Sequence, residues 1–172
     1  MTKTILQLVV LFILLIIAQV VCYKILLFGV AVPIVFIYLI LRLPINWNLN
    51  INLTVAFLMG LLVDITCDTP GLNALCCTLL AALRYPVFAL YVPRENDLSN
   101  PIPSTDTLGT IPYLKYMATL VVIYCALIFT VQAFTTHNWL QTLIRIAASS
   151  LLTVIILLPL DSMLSTRHEK RV

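Results

Sequence analysis

The chain has 172 residues, of which 62% are hydrophobic and only 10% are charged, whereas globular chains average about 25% charged residues. With a mean hydropathy of +1.07, this composition argues against a soluble protein. The net charge of +3 comes from basic residues scattered singly along the sequence. A nucleic-acid surface needs basic residues clustered on one face, so no binding to nucleic acid is expected.

The five cysteines and two histidines do not form a recognisable metal motif. No two cysteines have the Cys-x-x-Cys spacing, and His137 and His168 are far apart in the sequence. Because a zinc site usually needs four converging ligands, neither a metal ion nor another cofactor is expected.

A helix that crosses the hydrocarbon core needs about 20 predominantly apolar residues, and about 17 to 25 are tolerated. On this criterion the sequence predicts an all-α, polytopic membrane helix bundle, with residues 1–172 as one domain. The six predicted spanning helices are residues 5–21, 25–41, 53–66, 72–91, 113–134 and 140–160. The third is the shortest. The first lacks a signal-peptide cleavage site, so it is expected to be retained.

Most connections between these helices are short, which predicts antiparallel neighbours. Residues 22–24 join the first two helices in a tight hairpin, and Pro33 is expected to kink the second. Trp47 marks an interfacial turn, and residues 68–71 have strong turn chemistry. Residues 92–112 form the one long loop, which is rich in proline and expected to be extended.

Lysine and arginine set the orientation, because they are retained in short cytoplasmic loops. With a cytoplasmic N-terminus, eight of the ten fall on the inner side, and both termini are inside. These eight are Lys3, Arg42, Arg84, Arg94, Lys115, Arg167, Lys170 and Arg171. The outward connections are then too short to form a soluble domain, so any work outside the membrane needs a partner protein.

Asp64 and Arg145 are the two ionisable residues predicted to lie within the apolar phase. Such groups cost about 2.5 to 3.5 kcal/mol on insertion scales and usually face protein or water. Both reach a similar depth in the outer half, so we predict a pair, direct or through water, between the third and sixth helices. Asn73 and Gln132 are expected to lie nearby as hydrogen-bond partners.

Two stripes with a four-residue spacing accompany this pair. Ala56, Gly60 and Asp64 form a small-xxx-small surface that another helix can approach closely. Arg145, Ser149 and Thr153 form a polar stripe expected to point inward. Two readings stay open, since these groups either hold the bundle together or line a ligand pocket.

Catalysis has little support in the sequence. No serine or cysteine has a histidine at a comparable depth to act as its base. Asp64 and Asp68 lie on one helix face, as in intramembrane phosphotransferases that bind metal, but those sites use further aspartates. We therefore do not expect an enzyme.

The stretch from Ala56 to Leu75, with Gly60, Asp64 and Gly71, resembles the signature region of MreD, the family of bacterial rod shape-determining membrane proteins. In that family a helix carrying Gly-x-x-x-Asp turns through a glycine-containing loop into the next helix. The similarity extends to Leu83-Arg84-Tyr85-Pro86 and to Arg145 with Ser149. The chain departs from the pattern at Asp68 and Pro70, in a loop often richer in glycine and serine.

The resemblance implies a non-catalytic subunit of the cell-elongation machinery in the bacterial inner membrane. Such a subunit supports rod shape and lateral peptidoglycan synthesis. Its implied partners are MreC, and, directly or through MreC, RodA with its transpeptidase and MreB; a homodimer is left open. MreD-like proteins also resemble the substrate-binding subunits of energy-coupling-factor transporters in fold. The alternative function is therefore a small-molecule binding subunit of a membrane transporter.

Overall fold

The computed structural model describes residues 10–19, 32–45, 47–69, 71–91, 103, 108–136 and 139–169, without the side chains of 135, 136 and 163–169. Most of these residues are helical, and they contain no strand. The helices are α1 (Val10–Gln19), α2 (Ile37–Arg42), α3 (Leu49–Cys67), α4 (Leu72–Tyr91), α5 (Thr110–Thr136) and α6 (Trp139–Glu169). Helices α3 to α6 are each long and apolar enough to cross a membrane.

The four long helices pack in sequence order, α3 on α4, α4 on α5 and α5 on α6, while the short α2 contacts α4 and α5. Aromatic side chains fill the centre. Those with less than 2% exposure include Phe36, Tyr38, Tyr113, Tyr116 and Tyr124. Large apolar side chains such as Leu58, Ile65 and Leu90 cover the outside. An exterior of this kind suits a hydrocarbon environment, where apolar surface carries no penalty.

Helices α3 and α4 form the closest-packed pair, a hairpin closed by residues 68–71. A Cβ atom on Gly60 would lie 2.5 Å from the Cα of Ala74 and 2.6 Å from the carbonyl oxygen of Asn73. Only glycine therefore permits this approach. Helix α3 ends at Asp68 in the left-handed conformation, with φ of 55°, and Gly71 has φ of 74°. The turn thus reverses the chain within four residues.

The helix bounds differ from the sequence prediction where polar residues flank an apolar run. Helix α3 begins at Leu49 rather than at residue 53. Its first turn contains the polar residues Asn50 and Asn52, which a criterion based on apolar residues leaves out. Helices α5 and α6 are also longer than predicted, whereas α4 occupies the predicted residues 72–91.

The predicted second helix, residues 25–41, is wrong at residues 32–36 and right at residues 37–41. Residues 32–35 are not helical, and helix α2 begins only at Ile37. Proline lacks an N–H and disfavours helical geometry in the residue before it, so Pro33 accompanies a break rather than a kink. The predicted turn at 22–24 and nearly all of the loop at 92–107 lie outside the described residues, as do positions 137–138 of the turn before α6.

We expect Gly60→Ala to lower the free energy of unfolding by about 1 to 3 kcal/mol, the usual cost of overpacking. The added methyl meets the backbone of α4, which can yield only if the two helices separate. Equilibrium unfolding in mixed micelles measures the effect. Ala147→Val is the control, because Ala147 is exposed on α6. Equal stability of the two variants would contradict the close approach at Gly60.

Candidate functional site

Polar side chains gather at three levels of the bundle. The first level is the end at which α3 turns into α4, around Asp64, which is 6% exposed. Its Oδ1 accepts hydrogen bonds from the hydroxyl of Thr69 at 2.6 Å and from the backbone N–H of Asn73 at 2.9 Å. The side-chain amide of Asn73 also donates to Oδ1 at 2.9 Å, and the backbone N–H of Ala74 donates to Oδ2 at 2.9 Å. The carboxylate thus caps the start of α4.

This cap extends into the interior through Asn73. The Asn73 amide also donates to the Thr69 hydroxyl at 2.9 Å. Its Oδ1 accepts from the hydroxyl of Tyr124 on α5 at 2.7 Å. A helix N-terminus carries a partial positive charge and free N–H groups, so a carboxylate is well placed there. One acidic residue of α3 therefore fixes α4 and, through Asn73, the position of α5.

The predicted pair of Asp64 with Arg145 is not formed. All hydrogen bonds of Asp64 go to Thr69, Asn73 and Ala74, and α3 does not pack substantially against α6. Between described side chains the one ion pair joins Arg42 and Asp161. The prediction failed because equal depth does not make two helices neighbours.

Some of the other predicted site residues lie near Asp64, and others lie away from it. Ala56 and Gly60 are buried along α3, below the cap. Asp68 and Gly71 border a largely apolar groove of about 910 Å³ between α3 and α4. Gln132 is exposed on α5, and Arg145 is half-buried on α6. Neither of these two joins the cap.

The second level is the non-helical segment 32–35, whose backbone is held by side chains from distant helices. The N–H of Val32 donates to the hydroxyl of Ser149 at 3.1 Å, and the N–H of Ile34 donates to that of Thr153 at 3.1 Å. Gln19 of α1 accepts from the N–H of Val35 at 2.8 Å and donates to the carbonyl of Pro33 at 3.1 Å. The polar stripe of α6 therefore points inward and serves this backbone.

Ser149 and Thr153 lie well inside α6, a helix long and apolar enough to cross a membrane, and they hold segment 32–35 at that level. They lie 10 and 14 residues after Trp139, the start of α6, which is about 15 to 21 Å along a helix. That is near the middle of a hydrocarbon core of about 30 Å. Non-helical backbone at such depth is tolerated only where protein satisfies its polar groups or where it lines a cavity.

The third level lies at the opposite end of α4, around two arginines. Asp161, fully buried, is 3.3 Å from the guanidinium of Arg42. It also accepts from the hydroxyls of Tyr38 at 2.8 Å and Tyr113 at 3.0 Å. The Arg42 guanidinium carbon is 5.4 Å from the centre of the Tyr38 ring, a cation–π distance. The end of α6 is thereby joined to α2 and α5.

Arg84, which is 4% exposed, has neutral partners instead. Its Nε donates to the hydroxyl of Tyr116 at 2.9 Å. Its Nη2 donates to the carbonyl oxygens of Leu41, at 3.3 Å, and Leu43. These carbonyls lie at the end of α2, so the cation caps the negative end of that helix.

Sequence reasoning missed Gln19, Tyr38 and Asp161 as parts of these clusters. A signal for two of them was present. Gln19 is the single amide in helix α1, and Asp161 is the first acidic residue after the apolar run of α6. Tyr38 carries no such signal, because tyrosine is common in apolar segments.

Comparison of the chain with models of protein families, with curated protein sequences and with solved structures finds no significant match. What this site can do is therefore argued from its own geometry.

We expect Asp64→Leu to destabilise the bundle severely, because the N–H groups of Asn73 and Ala74 would lose their acceptor. Each buried unsatisfied donor costs about 1 to 3 kcal/mol. Asp64→Asn should be milder, since an amide oxygen still accepts. Unfolding in mixed micelles measures both. Arg145→Gln is the control and should change stability by less than about 0.5 kcal/mol. Strong non-additivity in an Asp64→Asn, Arg145→Gln double mutant would revive the abandoned pair.

Ser149→Ala should destabilise the protein because it leaves the N–H of Val32 without its acceptor in the apolar layer. Hydrogen bonds between membrane helices average about 0.6 kcal/mol, with a maximum near 1.7 kcal/mol, and we expect a loss in the upper part of that range. The adjacent Ser150→Ala is a matched control, because the Ser150 hydroxyl donates only to the carbonyl of Ala147 within its own helix. Unfolding free energies that do not differ between the two variants would count against the role of Ser149.

Proposed function

We propose that the chain is a multi-pass protein of the bacterial inner membrane that acts as a non-catalytic scaffold of the cell-elongation machinery, as MreD proteins do. In this proposal six segments of the chain cross the bilayer with both termini in the cytoplasm; the second of them includes the non-helical residues 32–35 and the short helix α2. The scaffold binds MreC, and it helps to position RodA, its transpeptidase and MreB filaments for lateral peptidoglycan synthesis.

The observation that carries the proposal is the hairpin of α3 and α4. The three residues behind the resemblance to MreD have separate structural roles there. Gly60 permits the close approach of α4, Asp64 caps its first turn, and Gly71 adopts a positive φ in the connection. The hairpin of α3 and α4 thus requires a glycine, a carboxylate and a glycine at the same spacings as in the resemblance.

The way the buried polar groups are used also favours a scaffold. The carboxylates of Asp64 and Asp161 bind N–H, hydroxyl or guanidinium groups of this chain, so their polar atoms serve the geometry of the bundle. The connection between α3 and α4 is only four residues long. On the proposed outer side it offers no domain, which supports dependence on a partner that reaches beyond the membrane.

The first test is depletion of the chain in its host bacterium, which should turn rods into round cells within a few generations. Loss of lateral wall synthesis is the physical reason, and cell aspect ratio by microscopy is the measurement. A plasmid copy should restore rods, and the Arg145→Gln variant should restore them equally well. Continued rod growth after clean deletion would contradict the proposal.

The second arm is capture of MreC by crosslinking in native membranes, followed by purification through a tag on this chain. An unrelated multi-pass protein with the same tag is the control. Shape loss without MreC enrichment would separate a role in elongation from the proposed contact.

A small-molecule binding subunit of a transporter is a second candidate, and one observation favours it. Discontinuous helices near the bilayer midplane frequently form substrate sites in transporters, and residues 32–35 are non-helical beside Ser149 and Thr153, in the middle part of α6. A defined ligand retained in native mass spectrometry and lost on Thr153→Val would support this candidate over the scaffold.

A further inference from the structure

A cavity of about 420 Å³ opens at the Arg84 end of the bundle, between the first turn of α3 and the second half of α4. Its polar lining is contributed by Arg84 and Asn52. Its apolar lining includes Ile45, Trp47, Leu49, Ala82 and Phe88. The cavity therefore combines one cationic side chain with an apolar wall, and a tryptophan of the kind found at membrane interfaces borders it.

The charge of Arg84 has no carboxylate partner among the described residues. Two of its nitrogens donate to a hydroxyl and to carbonyls, while Nη1 forms no hydrogen bond with any described group. Asp161 is in contact with Arg42, and Lys115 adds a further, exposed cation nearby on α5. The described side chains at this end thus comprise three cations and one carboxylate. Among the described groups Arg84 is a buried cation without a counter-charge; such an arrangement is costly, so this cavity favours an anion.

Two further groups face the same space. The Oδ1 of Asn52 is buried without a hydrogen-bond partner, and a rotated amide would present N–H donors instead, since amide orientation is assigned only from its partners. Helix α3 begins at Leu49, and its N-cap, Asn48, makes no side-chain capping bond. In this first turn the N–H groups of Ile51 and Asn52 donate to the carbonyl of Asn48, which leaves those of Leu49 and Asn50 to add positive potential beside Arg84.

We propose that this cavity binds the phosphate of an anionic phospholipid, with the phosphate against Arg84 and Asn52 and the acyl chains along the apolar wall. Phosphate is the shared chemistry of a lipid headgroup and of a free anion. The apolar lining favours the lipid, because a free phosphate leaves that wall uncovered. Arginine is also well suited to phosphate, since its planar fork can donate two parallel hydrogen bonds.

The test is native mass spectrometry of the full chain in neutral detergent, with phosphatidylglycerol, phosphatidylcholine or inorganic phosphate added separately. We expect one tightly held phosphatidylglycerol, with weaker binding of phosphatidylcholine because its choline offsets the phosphate charge. Ala82→Phe should fill the cavity without touching the bonds of Arg84 and reduce occupancy at least about tenfold, as expected when a pocket is blocked and a charged contact is lost. Ala147→Phe on exposed α6 is the matched control.

Asn52→Leu is a second variant, and it should leave the fold intact because the Oδ1 of Asn52 has no hydrogen-bond partner to lose. It should weaken phosphatidylglycerol binding at least about tenfold, as for one hydrogen bond to a charged group, while the lipid-free protein becomes no less stable. Equal binding by wild type and Ala82→Phe would overturn the site. Equal affinity for both lipids would overturn the charge argument, and phosphate binding that matches phosphatidylglycerol would overturn the assignment to lipid.

Discussion

The architecture depends on how the backbone N–H groups of the non-helical residues 32–35 are satisfied inside the bundle. An unsatisfied group there costs several kcal/mol, and helix geometry is interrupted at Pro33. Gln19, Ser149 and Thr153 provide the acceptors, from α1 and from α6. Because α3 to α6 pack in order along the chain, these bonds, together with those of Asp161 to Arg42 and Tyr38, connect the last helix back to the early part of the chain. They close the bundle across more than a hundred residues of sequence.

The two ends of the bundle use opposite charges for the same purpose. At one end the carboxylate of Asp64 accepts from N–H groups at the start of α4, and at the other Arg84 donates to carbonyls at the end of α2. Each charge faces the helix terminus of complementary sign. Hydrogen bonds to charged groups contribute about 1.5 to 3 kcal/mol each, whereas insertion of the charge costs about 2.5 to 3.5 kcal/mol. The four bonds of Asp64 and the three of Arg84 therefore each more than offset that cost.

The sequence was sufficient for what depends on one helix at a time. Apolar runs indicated the four long helices, and the spacing of Gly60 and Asp64 indicated a surface for close approach, because both signals are local. The sequence was insufficient to predict which residues of different helices contact each other. Depth along α3 and α6 placed Asp64 level with Arg145, yet which helices become neighbours depends on the whole set of contacts. Likewise, Pro33 signalled a disturbance, but the size of the break depended on hydroxyl groups from α6, whose position no local pattern reveals.

Segment 32–35 also bears on which role the bundle can perform. A scaffold requires fixed surfaces, and bonds from α1 and α6 to one short segment make the relative positions of distant helices interdependent. Thr153 strengthens this restraint, since its hydroxyl accepts from Ile34 while donating to the carbonyl of Ser149. A transporter instead requires such bonds to exchange with those of a ligand. The N–H groups of this segment that have side-chain partners donate to uncharged acceptors. Replacing one of these hydrogen bonds by a hydrogen bond to a ligand would therefore change the free energy only slightly. The cap at Asp64, with its charged acceptor, is the more rigid element, and it is the part that the MreD-like residues build.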